Sequence, residues 1–67
     1  MTNPYEGIAE RLAAIEEELR DLAFERLRAA AEGDPAAAAE EKRLLKARRA
    51  VERAIHALDP GEVYEDA

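Results

Sequence analysis

Few side chains in this sequence are of a type and spacing that chemistry demands, and each group can be weighed in turn. Glu52, His56 and Asp59 fall at i, i+4 and i+7, so one helical face would bring two carboxylates and an imidazole together as metal ligands or as an acid–base set. With a single histidine and no cysteine in the chain, solvated helix surface is the expected reading, and no metal and no cofactor is expected. Glu16, Glu17 and Glu18 are consecutive, so a helix turns each by about 100° from the last and spreads the run instead of converging it. A serine or cysteine nucleophile is missing: there is no Ser or Cys, and the one Thr is Thr2. No Gly-rich loop exists to cradle a phosphate. Tyr5 and Tyr64 are expected to pack or cap one end of the fold. The expectation is therefore a non-catalytic protein.

Arginines supply the remaining option. Arg26, Arg48 and Arg49 are candidate anion ligands if two copies of the chain bring them together. The run KRLLKARRAVER, residues 42–53, also resembles a phosphate or nucleic-acid patch. It has no interleaved aromatic residue, and Glu40, Glu41 and Glu52 share its segment. A formal net charge of -6 opposes attraction to phosphates or to an anionic membrane. Neither nucleic acid nor membrane is expected as a partner.

The elements that must position these groups have clear punctuation. Asn3, Pro4 and Glu6 read as an N-cap, a first helical residue and the distal member of a capping box, which predicts a first helix over about 4–32. Gly7 weakens its first turns. Tyr5, Ile8, Leu12, Ile15, Leu19 and Leu22 recur at spacings of three and four, the stripe of an amphipathic helix. Gly33 suits the position just past a helix C-terminus. Asp34 and Pro35 are an N-cap and a first helical residue, so the turn is 33–34 and a second helix runs from about 35 to 59. Leu44, Ala47, Val51, Ala54, Ile55 and Leu58 form its stripe, with Ala37 extending it toward the turn. Pro60 and Gly61 end it, leaving residues 60–67 as an acidic tail beyond a 1–59 helical unit.

Two amphipathic helices joined by so short a turn bury their stripes by folding back. The expected fold is all-α, an antiparallel two-helix hairpin whose seam is Ile8, Leu12, Ile15, Leu19 and Leu22 against Leu44, Val51, Ile55 and Leu58. That alignment sets Glu16, Glu17 and Glu18 beside the region of Arg48, Arg49 and Arg53. At 67 residues without cysteine, such a hairpin has too little core to stand alone. Phe24, Leu27 and Leu45 lie off the two stripes, near the turn, and are the expected interface to a second hairpin, giving a homodimeric four-helix bundle. The start MTNPYEG has neither a basic segment nor an apolar stretch of the secretory kind, and no apolar run has the length to span a bilayer. A cytoplasmic location is expected. The excess of Arg over Lys and the abundance of Ala fit a high-GC bacterial genome.

Residues 3–30, NPYEGIAERLAAIEEELRDLAFERLRAA, resemble the first helix of AroQ-class chorismate mutases. That resemblance implies an all-helical dimer that rearranges chorismate to prephenate and holds its dianionic substrate with arginines and a lysine, with Arg26 in the place of one such arginine. The pattern departs where Ala9 replaces an earlier arginine and where Gly33-Asp34-Pro35 interrupts the helix; no third helix follows. Two functions from different classes are thus expected in order: a small helical interaction module that self-associates and offers a surface to a protein partner, and, as the alternative, a ligand-binding or mutase-like dimer using Arg26, Arg48 and Arg49 between hairpins.

Overall fold

A computed structural model describes residues 4–59. Two helices account for nearly all of them, α1 at Glu6–Ala31 and α2 at Pro35–Leu58, with no strand among the described residues. α1 starts two residues later than Pro4 suggests. Tyr5 takes the N-cap position with φ -94° and ψ 1° and no side-chain cap, while its carbonyl accepts the first helical bond from the Ala9 N–H at 2.9 Å. Asn3 lies outside the described residues, as do residues 60–67.

The corner between the helices follows from three adjacent residues. Gly33 adopts φ +106°, a conformation that costs a side-chain-bearing residue a Cβ clash and costs Gly none. Its N–H donates to the Ala30 carbonyl and the Asp34 N–H to the Ala29 carbonyl, each at 3.0 Å. These two bonds are the crossed pair of a Schellman motif, and they satisfy carbonyls that the end of α1 leaves open. Asp34 then opens α2: its Oδ1 accepts from the Ala36 N–H at 3.0 Å, its carbonyl accepts from the Ala37 N–H at 3.2 Å, and Pro35 sits in the first turn where a missing N–H costs nothing. One residue therefore closes the first helix with its amide and caps the second with its carboxylate.

With so few residues between them the helices fold back antiparallel. Arg48 meets Glu16 at 2.6 Å and Arg26 meets Glu40 at 3.2 Å, and each pair joins residues roughly equidistant from Gly33 along the chain. The result is one layer of two helices, a slab with Cα extents of 50 × 26 × 11 Å.

Inside that layer the seam of α1 differs from the expected stripe. Its inward line is Ala9, Leu12, Glu16, Leu19, Ala23 and Arg26, each half-buried except Ala23, which is buried. Ile8, Ile15 and Leu22 are exposed. Both lines have the same spacing and share Leu12 and Leu19, so they differ by a rotation of about 100° at alternate positions. The turn selects between them: the Schellman corner seats Ala37 in the first turn of α2 with no accessible surface, and positions seven apart from Ala30 lead back through Ala23, Glu16 and Ala9. On α2, Leu44, Val51, Ile55 and Leu58 are half-buried, as are Ala47, Arg48 and Ala54. Only Ala23 and Ala37 are buried among the described residues. No helix among these residues is long and apolar enough to cross a membrane.

Candidate functional site

The hairpin has two broad faces, and the helical repeat assigns residues to each. Ile8, Ile15 and Leu22 precede the inward positions 9, 16 and 23 by one residue and so lie about 100° to one side of the seam; Phe24 follows position 23 and lies about 100° to the other. Together with Tyr5 and Leu27 these are the large apolar residues left between 42% and 61% exposed.

On the Phe24 face a shallow groove of about 160 Å3 is lined by Phe24, Leu27 and Leu45, with Ala23 at its base and Arg20, Glu41 and Arg48 around it. The structure thus brings Phe24, Leu27 and Leu45 together near the turn. Farther from the turn this face is ionic. Glu16, 16% exposed at its side chain, accepts a 2.6 Å hydrogen bond from the Arg48 Nε, and Arg48 Nη2 also lies 3.7 Å from Glu52, one turn along α2. The Arg48 hydrogen bond is the main reason that the Glu16 carboxyl is held below its ordinary value; burial opposes it, and the charges of Arg48 and Arg20 add to the lowering. Arg48 is raised in turn, chiefly by the same bond. Glu17, Glu18, Arg49 and Arg53 remain exposed, so the expected broad pairing of acidic and basic runs narrows to Glu16 with Arg48.

The opposite face carries Ile8, Ile15 and Leu22 from α1. Its groove at the turn end is lined by Arg26, Glu40, Arg43, Leu44 and Ala47. Arg26 and Glu40 pair across it. Within one hairpin the three candidate anion ligands do not gather: Arg48 lines one groove, Arg26 the other, and Arg49 stands on the exposed outer side of α2. Glu52, His56 and Asp59 are all exposed, with Glu52 turned to Arg48. Among the described residues no group of three or more His, Cys, Asp or Glu side chains is placed to hold a metal ion.

The inward line Ala9, Glu16, Ala23 and Arg26 escaped a reading that ranked positions by apolar size. Its signal was present in another form: alanines and one acid at heptad spacing along α1, matched by one arginine in the facing stripe of α2. Comparison with protein-family models, with curated proteins and with solved structures finds no match. The likeness of residues 3–30 to the first helix of AroQ-class chorismate mutases rests on those residues alone.

Proposed function

We propose that the protein is a small, non-catalytic helical interaction module, and that the hairpin is one half of an assembly completed by a second copy in a four-helix bundle. The observation that carries this reading is the contrast between what the hairpin buries, two alanines, and what it leaves in water, six large apolar residues. Stable domains are built from at least two packed layers, and this chain has one. Apolar faces this extended, bordered by charge, mark sites of association. The arginines point the same way. Arg26 and Arg48 are each engaged by a carboxylate and open onto different grooves, which supports a contact surface over the competing reading of a basic pocket for a dianionic ligand between hairpins.

Sedimentation velocity across a concentration series tests the proposal. The expected species has about twice the 7.4 kDa chain mass and dissociates on dilution. A helical monomer at every concentration would remove the reading.

A further inference from the structure

Resting on that self-association, we infer that the second copy covers the Ile8, Ile15 and Leu22 face, and that it lies with its α2 over α1 and with both turns at the same end of the bundle.

The choice of face comes from what each face would lose. On the Phe24 side the apolar surface is confined to the turn end, and the middle belongs to Glu16, Arg20, Arg48 and Glu52, whose charges are hydrated at one edge and would be stripped by a flat apolar cover. The other side carries Ile8, Ile15 and Leu22 along α1, three residues at heptad spacing; its ion pair, Arg26 with Glu40, lies near the turn, and Arg11, Glu18 and Arg43, which share this side, are exposed and free to keep their heads in water at the rim.

Two symmetric ways exist to lay such faces together. A twofold along the bundle axis places α1 of each copy on α2 of the other, with the turns at one end; a twofold across that axis places α1 on α1 and α2 on α2, with the turns at opposite ends. Side-chain size separates them. The α2 edge of this face carries Ala47, Ala50, Ala54 and Ala57, so α1 on α2 sets large residues over small ones, whereas like on like crowds Ile and Leu against Ile and Leu and leaves Ala facing Ala over a void. Charge separates them independently. α1 has seven acidic and four basic residues, a net of -3, and α2 has three acidic and six basic, a net of +3. Arg11, Glu18 and Glu25, three residues beyond Ile8, Ile15 and Leu22, line the outer edge of the face on α1; Arg43 and Lys46 lie along it on α2, and all five are exposed. Helix over unlike helix brings the helix of net -3 against the helix of net +3 on both edges at once; like over like opposes equal net charges, and of the named acids only Glu25 then meets a base, Arg11. Rim charges of this kind fix orientation more than they add affinity.

The chain lacks cysteine, so Glu32→Cys in the exposed turn places one nitroxide per copy, and dipolar EPR on the otherwise unchanged protein reads the geometry. Same-end turns give a separation of roughly 20–30 Å, from helices packed 8–10 Å apart with label arms added. Opposite-end turns give roughly 40 Å, the length of a helix of this size at 1.5 Å per residue. Alongside, Ile15→Glu is expected to halve the sedimenting mass and Phe24→Glu to leave it unchanged, with helicity followed by circular dichroism; if Ile15→Glu loses its helices, the label distance decides. A dimer with the longer separation, or one that only Phe24→Glu divides, overturns this inference and leaves self-association standing. A monomeric wild-type chain overturns both.

Discussion

Glu16 is the residue at which packing and charge meet most closely. It occupies an inward position of α1 that would ordinarily hold an apolar side chain, and it is tolerated there because Arg48 reaches across to it at 2.6 Å. A carboxylate on a seam without such a donor would shift toward its neutral form; here the bond to Arg48 outweighs burial and the carboxyl titrates below its ordinary value. A group whose folded-state value is depressed stabilises the fold above its unfolded value and loses that contribution as pH falls through the folded one. The pair is therefore fully effective above about pH 4.5 and fades on further acidification. Glu16→Gln retains the shape and removes the charge. Its thermal midpoint should lie below that of the wild type at neutral pH, and the difference should shrink once pH drops under about 4.5. A midpoint left unchanged by Glu16→Gln at neutral pH would mean that Glu16 acts through shape alone.

At the scale of the elements, the glycine of α1 and the glycine of the corner make opposite predictions. Gly33 sits at φ +106° with nothing within 4 Å of where a Cβ would stand, so Gly33→Ala suffers from backbone conformation and not from crowding, and should lower the unfolding free energy by about 1–2 kcal/mol. Gly7 lies within α1 in helical conformation, with Arg11 Nη1 3.9 Å from its virtual Cβ; Gly7→Ala should raise stability by about 0.5–1 kcal/mol. Urea denaturation of both variants reads both signs, and equal effects would show that the corner has another origin. This contrast also explains how far the sequence was legible. Gly33, Asp34 and Pro35 each answer one backbone demand that few other residues meet, so two helices and the corner between them could be read from residue types. Rotation of α1 about its own axis was not legible in the same way. Two lines of equal spacing cross at Leu12 and Leu19, and apolar size pointed to Ile8, Ile15 and Leu22. The corner instead turns inward the line with Ala23, so that alanines meet the seam beside the turn and Leu12 and Leu19 fill it farther along. The Arg26, Arg48 and Arg49 set was illegible for a related reason: their distribution over different sides depends on that rotation, which no local motif encodes.

The described residues form a single layer whose seam buries only two alanines completely, and this bears on what holds it folded. Each helix of about 25 residues gains most of its stability from the face it packs, yet the described residues include no fully buried large side chain. Alanine propensity and the corner's hydrogen bonds favour the hairpin locally; they do not remove Ile8, Ile15 and Leu22 from water. These residues are 42–47% exposed, so covering what remains, at roughly 1.5–3 kcal/mol for each complete burial, would add roughly 2–4 kcal/mol per copy, a sizeable fraction of the net stability of a small domain. If a second copy supplies it, folding and association become one equilibrium, and apparent stability depends on protein concentration by mass action. Thermal melts followed by circular dichroism over an approximately hundredfold concentration range should then show a midpoint that climbs with concentration, and Ile8→Lys with Leu22→Lys should abolish the climb. A midpoint indifferent to concentration, with full helicity at the lowest one, would place all of the stability in the two-helix layer and would require the alanine seam to hold the fold without any cover.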